Sequence, residues 1–254
     1  MGAGHVHRLY RHGHTPVHRL PAHVKLVTLL AFVIVVVATP REAFWAFGVY
    51  AALLAGVAIL ARVPARFILP RMVVEVPFVV FALLLPFLAA GERVDVLGLS
   101  LSVEGMLAGW NIIAKGTLGV VASILLAATT DARALLLALQ RLRVPPVLVE
   151  ITSFMVRYAD VITDEMRRMK IARESRGFTG GTRKQLGVVA TSAGALFIRS
   201  YERGERVHLA MLSRGYSGSL PVLEVQHAQA VQWVAAAALP ATAFAVAVMA
   251  RVTL

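Results

Sequence analysis

Five apolar runs, at about residues 24–38, 43–61, 72–90, 105–128 and 228–250, decide what this chain can fold into. About 20 apolar residues in helical conformation cross the roughly 30 Å of hydrocarbon in a bilayer, and the first two runs sit near the lower limit. A soluble domain is nearer half apolar and a quarter charged. Here 58% of residues are hydrophobic, 16% are charged and mean hydropathy is +0.72. The sequence therefore predicts an all-α integral membrane protein with about five transmembrane helices.

Basic residues give the orientation. The formal net charge of +12 is concentrated in the N-terminal tail, in the connection bearing Arg62, Arg66 and Arg71, and between residues 131 and 223. The turns near Pro40 and Gly91 hold almost none of it. By the positive-inside rule the basic segments are cytoplasmic, so the N-terminus is expected inside and the C-terminus outside a multi-pass cell-membrane protein. No signal-peptide cleavage pattern is visible. The expected organisation is a His/Arg-rich cytoplasmic tail (1–22), a membrane domain with about four spans (23–128), a cytoplasmic block of amphipathic helices (129–224) and a last span (225–254).

Several local patterns refine this picture. Pro64 and Pro70 are expected to break the helices around the third span, and Glu75, four residues after Arg71, to pair with it. Alternation over residues 94–100 predicts a short extended loop or hairpin. Lys115, near the middle of the fourth span, marks function by default, set against a structural role in which it pairs with a carboxylate or snorkels toward water. Thr129-Thr130-Asp131 forms an N-cap cluster, followed by a short amphipathic helix that ends at Pro145-Pro146. A long helix over 146–175 follows, with Leu148, Ile151, Met155, Tyr158, Ile162, Met166 and Met169 as its apolar side. Another runs from about 183 to 213, with Leu186, Val189, Ala193, Phe197, Tyr201 and Met211 as its packing side.

Both of these helices end in the same phrase. Ala172-Arg173-Glu174-Ser175-Arg176-Gly177-Phe178-Thr179-Gly180 recurs as Ala210-Met211-Leu212-Ser213-Arg214-Gly215-Tyr216-Ser217-Gly218. A Gly just past a helix end takes the left-handed conformation that stops the helix. The preceding Arg then carries its five-donor fork on the last turn, free to reach outward. Capping explains the Gly and a positive charge, but not the matched Ser, aromatic and second Gly.

Catalytic machinery is missing from the sequence. No phosphate-cradling G-x-x-x-x-G-K-[ST], H-E-x-x-H or G-x-S-x-G motif occurs, and the chain has no cysteine. The tail holds His5, His7, His12, His14 and His18, with His23 just beyond. A helix would put His14 and His18 on one face, but without carboxylates the segment reads as solvated tail, and no metal ligands are assigned. A membrane bundle, a basic amphipathic block and two Arg-bearing helix tips outline a part that passes mechanical work between partners.

These residues resemble the transmembrane coupling (T) subunits of energy-coupling-factor (ECF) transporters, a branch of the ABC importers with two A-x-x-[AS]-R-G signatures. Further matches are His18-Arg19-Leu20-x-x-x-Val24-Lys25-Leu26, Leu101-Ser102-Val103-Glu104-Gly105, Leu139-x-x-Leu142-Arg143-Val144-Pro145, Arg157-Tyr158 and Asp164-Glu165. Ser175 and Ser213 stand where many members have Ala. The aromatic-and-Gly endings look most like the cobalt-type members, with nickel the alternative ion. The resemblance implies that Ser175, Arg176, Gly177, Ser213, Arg214 and Gly215 dock a pair of cytoplasmic ABC ATPases. It also implies a substrate-capture subunit in the membrane. ATP and Mg²⁺ would be bound by the ATPases, with no cofactor and no enzymatic activity in this chain. Two other readings are a vitamin-type T subunit serving several capture proteins and a membrane-anchored lipid- or nucleic-acid-binding protein. The mixed charge of the basic block, with Asp160, Asp164, Glu165, Glu202 and Glu205, argues against nucleic acid as a partner.

Overall fold

The computed structural model describes residues 10–96, 99–177, 182–218 and 228–253. It is an all-α membrane protein with one small hairpin, and it divides into two units, Leu9–Ala138 with Gln226–Leu254, and Leu139–Val225.

In the first unit, a short helix α1 (Pro16–Arg19) capped by Thr15 leads into α2 (Ala22–Ala38) and α3 (Phe44–Leu60). A helical run follows as α4 (Ala65–Ile68), a 3₁₀ stretch Leu69–Glu75, and α5 (Val76–Leu88). Strands β1 (Arg93–Val96) and β2 (Leu99–Ser102) pair antiparallel, with Arg93 opposite Ser102. Then come α6 (Val103–Thr129), α7 (Ala132–Arg141) and, after the second unit, α10 (Ala230–Val252). The run 65–88, α6 and α10 are long and apolar enough to cross a membrane. α2 and α3 have 17 residues each, or about 25 Å, slightly less than the hydrocarbon thickness.

The core lies where α2, α3, α6 and α10 meet. Phe32, Ala46, Tyr50, Ala128, Ala243 and Ala250 are fully buried there. α10 offers a stripe of small residues, Ala236, Ala243, Ala247 and Ala250, which lets neighbouring backbones approach. α5 approaches α6 over glycines. A Cβ on Gly105 would lie 2.5 Å from the Leu85 carbonyl oxygen, and one on Gly109 2.6 Å from that of Ala82. The other faces of α5 expose Phe78, Val80, Phe81, Leu84 and Phe87, as lipid contact requires.

In hydrocarbon an unpaired carbonyl costs several kcal/mol, and the end of α2 leaves none of its last four unpaired. The Thr39 hydroxyl donates to Val35 O (2.9 Å) and the Thr39 amide to Val36 O (3.3 Å). Lys115 Nζ donates to Val37 O (2.8 Å) and Arg251 Nη2 to Ala38 O (3.0 Å). Two cations thus sit at the negative end of the α2 dipole.

Several expectations are corrected. Pro70 does not break the third span. The α-helical pattern ends at Ile68 and gives way to 3₁₀ around Pro70, but the helical run continues from Ala65 to Leu88. Arg71 and Glu75 do not pair. The Arg71 guanidinium lies 3.5 Å from the centroid of Phe67 and donates to Phe67 O, while buried Glu75 accepts from the Thr117 hydroxyl at 2.6 Å. His14 precedes the Thr15 cap, so His14 and His18 share no helical face. His5 and His7 lie outside the described residues.

The second unit is built on α8 (Pro146–Ser175) and α9 (Thr182–Leu212). Pro146 at N1 starts α8 with the φ a helix needs and no amide to waste. The packing sides differ in part from those expected. Leu148, Ile151, Met155 and Met166 on α8 are exposed, as are Leu186, Val189, Phe197 and Tyr201 on α9. Of the expected side of α8, Ile162 does meet α9, lying with Glu165 beside Leu196, Arg199, Ser200 and Arg203. A carboxylate shared by several arginines holds this contact, leaving the apolar faces unpartnered.

Candidate partner-docking tips

Three polar clasps set the relation of α8 to α9. Near one end the Tyr216 hydroxyl, just past α9, donates to Glu150 in the first turn of α8. In the middle Glu165 accepts from Arg199 Nη1 (2.8 Å) and, within its own helix, from Arg168 Nη2 (3.1 Å), with Arg203 Nη2 at 4.0 Å. Near the other end Arg173 Nη1 donates to the Ser192 hydroxyl (2.6 Å). The partner numbers fall on α9 as they rise on α8, so the helices run antiparallel. From Glu150 to Arg173 is about 35 Å at 1.5 Å per residue.

The two signatures therefore sit at opposite ends of one helix pair. Their local geometry matches position by position. Ser175 Oγ donates to Ala172 O at 3.1 Å, and Ser213 Oγ to Ala210 O at 3.0 Å. The amides of Arg176 and Arg214 donate to Arg173 O (3.2 Å) and Met211 O (3.0 Å). Those of Gly177 and Gly215 reach Glu174 O and Leu212 O, both at 3.0 Å. Gly177 and Gly215 have φ of +72° and +82°, a left-handed turn that a side chain would strain. The serines thus occupy carbonyls that the helix end leaves open, a bond Ala cannot make.

All six signature residues, Ser175, Arg176, Gly177, Ser213, Arg214 and Gly215, are exposed. Among the described residues neither Arg176 nor Arg214 forms an ion pair, although α8 and α9 carry acidic residues that pair elsewhere. Each tip therefore presents an uncommitted guanidinium on a rigid turn, the donor geometry that suits a carboxylate. Phe178-Thr179-Gly180, the ending of the first signature, lies outside the described residues.

Charge tunes the clasps. The Arg168 and Arg199 hydrogen bonds hold the Glu165 carboxyl below the usual carboxylate range. The bond to Glu150 pushes the Tyr216 hydroxyl above its ordinary value. Among the described residues no group of three or more His, Asp or Glu is placed to hold a metal ion. The clasps themselves escape sequence reasoning, because Glu165, Arg199 and Ser192 look like solvated polar positions on helices with a better apolar face.

The family model described as cobalt transport protein, CbiQ, matches residues 13–223. The energy-coupling factor transporter transmembrane protein EcfT of Bacillus subtilis is 28% identical over 224 residues, 82% of this chain and 83% of that one. The cobalt transport protein CbiQ of Rhodobacter capsulatus is 27% identical over 168 residues, 66% of this chain and 67% of that one. An uncharacterized protein of Methanocaldococcus jannaschii is 29% identical over 144 residues, 56% of this chain. The chain spans little more than half of that relative, 54% of its length.

Proposed function

The chain belongs to the cobalt transport protein (CbiQ) family, and from that membership we propose that it is the transmembrane coupling subunit of an ECF importer for cobalt or nickel ions. Its α8–α9 pair engages a two-part cytoplasmic ATPase through Arg176 and Arg214. ATP and Mg²⁺ are bound and consumed by that ATPase, and this chain performs no chemistry. Closure of the ATPase moves the two tips, and the chain passes the motion to a membrane subunit that captures the substrate. The N-terminus is cytoplasmic, in keeping with the distribution of basic residues.

The observation that carries this reading is the matched pair of exposed arginines, without an ion pair among the described residues, on identical turns about 35 Å apart. A solvated helix end needs neither the Ser back-bond nor the repetition. The reading as a nucleic-acid binder is weakened by the mixed charge of α8 and α9, where Lys170, Arg199 and Arg206 pair with Glu174, Glu165 and Glu202. A vitamin-type coupling subunit is the second reading, left open because the B. subtilis relative, similar over most of both chains, is named for energy coupling and for no ion. Uptake of labelled cobalt(II) against vitamins by the assembled transporter distinguishes the two.

Arg176→Glu and Arg214→Glu test the docking tips. Each sets like charge against an acidic groove, and losing one partner of a buried charge pair costs roughly 2–5 kcal/mol, or about 30-fold or more in affinity. ATPase co-purification and uptake should fall while membrane insertion is unchanged. Arg167→Glu, an exposed arginine on α8 outside both signatures, is the control. If Arg167→Glu is equally damaging, bulk charge is responsible. If both tip variants are harmless, the signatures are helix caps and nothing more.

A further inference from the structure

Lys25 is a buried cation, 9% exposed, whose three hydrogen-bond acceptors among the described residues include no carboxylate. Its Nζ donates to Thr129 O at 2.8 Å, to Thr130 Oγ1 at 3.3 Å and to His18 O at 3.2 Å. Thr129 is the last residue of α6, Thr130 its extended C-cap, and α7 begins at Ala132. The ammonium from the first turn of α2 is therefore plugged into the link between a membrane span and the next helix. A buried charge is costly and marks function by default within a membrane protein. Here it is stabilised by the negative end of the α6 dipole and by neutral oxygens alone.

A second strap crosses the same turn. The Arg11 amide donates to Ala128 O at 2.9 Å. The His18 ring ties that strap to the first, with Nε2 3.1 Å from Arg11 O and Nδ1 2.7 Å from the Thr15 hydroxyl. Nε2 must carry the proton to donate to a carbonyl, which leaves Nδ1 to accept from Thr15. Burial lowers the His18 pKa, in keeping with this neutral ring. Residues 11–18, α2 and the last turn of α6 are thus joined at Ala128, Thr129 and Thr130. A short extended link between helices, such as Thr130-Asp131, is where a hinge is ordinarily found. At this link the hinge is pinned.

We propose that Lys25 is a positioning residue for transport, pinning the end of span α6 and its C-cap Thr130 so that the α6–α7 link is a rigid joint rather than a free hinge. The proposal rests on the reading as a coupling subunit, because α7 begins the covalent route from span α6 to the tip-bearing α8. A joint that gives would let the ATPase cycle without moving the span. The rigid joint ties the two together.

The test uses Lys25→Met, which keeps the length of the side chain without its donors, and Lys25→Arg, which restores a donor. In the isolated full-length chain in nanodiscs, Lys25→Met should speed amide exchange about tenfold or more in residues 11–20 and 128–132, with α9 and α10 unchanged. In the complete transporter with its ATPase and capture subunits, Lys25→Met should keep ATPase assembly and hydrolysis. Cobalt(II) uptake per ATP should fall about fivefold or more, and Lys25→Arg should recover most of it. Unchanged exchange at 128–132, or unchanged uptake per ATP, overturns the proposal. So does a loss of uptake that only follows lost assembly, since that is a folding defect. Failure of the wild-type chain to recruit any ATPase would instead sink the coupling reading, and the exchange measurement would still decide whether Lys25 pins the joint.

Discussion

The Tyr216 hydroxyl donates to the Glu150 carboxylate, so the residue that follows the second signature is bound to the first turn of the helix that carries the first. The equivalent position in the first signature is Phe178, which has no hydroxyl to donate. The two tips share their arginine and their turn but differ in how they are held. The first is braced from within its last turn through Arg173 and Ser192, the second from beyond its end through Tyr216.

Tyr216→Phe should therefore loosen one tip only. Hydrogen exchange at amides 211–217 should become several-fold faster, with amides 172–177 unchanged. The bond raises the Tyr216 pKa above its ordinary value near 10. A raised folded pKa means that the clasp contributes fully below the unfolded value and is lost as pH rises through the folded one. In the wild type the difference in exchange between the two tips should hold through neutral pH and fade only in alkali above about pH 10. Tyr216→Phe should show no such alkaline transition. A wild-type profile that is flat into strong alkali would remove the clasp.

Gly109 carries the tightest part of the α5–α6 contact with Gly105, whereas a methyl added at Gly119 on the same helix would meet nothing within 4 Å. Gly109→Ala should push α5 away from the Ala82 carbonyl and destabilise the pair by about 1–3 kcal/mol, the usual range for overpacking. Gly119→Ala should be neutral or slightly stabilising, since Ala is the better helix former. Thermal unfolding of the two variants in detergent is the measurement. Equal behaviour would mean that α5 is not seated on the glycines.

The orientation is checked with single cysteines, which the chain otherwise lacks. Cys at exposed Glu92 should react with a membrane-impermeant thiol reagent in intact cells. Cys at exposed Ser217 should react only after permeabilisation. Reversed labelling would invert the topology and place the tips on the wrong side for an ATPase.

Features that depend on neighbouring residues were legible in the sequence. Pro146 at N1 and Gly177 after Ser175 mark the two ends of α8, and alternation around Asp95 marks the hairpin. The repeated signature identifies both tips. Features that depend on distant partners were hidden. Nothing near Lys25 announces a bond to Thr129, 104 positions away, and Glu75 found Thr117 instead of the nearer Arg71. The packing side of α8 and α9 was partly misjudged because hydrophobicity locates a core only when the core lies within the chain. Leu148, Met155, Phe197 and Tyr201 remain exposed. Arg62 and Arg143 take left-handed conformations usually left to glycine, with φ of +54° and +62°. Each closes a helix end in a position where sequence alone predicts no such turn.

The antiparallel arrangement of α8 and α9 has a consequence in terms of symmetry. Two helices of 30 and 31 residues that run in opposite directions and end in the same motif are related by an approximate dyad. A single copy of this chain thereby presents a nearly two-fold surface, although the chain as a whole has no such symmetry. A homodimer offers two identical grooves about its own axis, and one copy of this chain can fill both when the two dyads coincide. With the dimeric ATPase of the proposed function, that geometry would match one chain to two ATPase protomers. The unlike braces at Arg173 and Tyr216 are where that symmetry is broken.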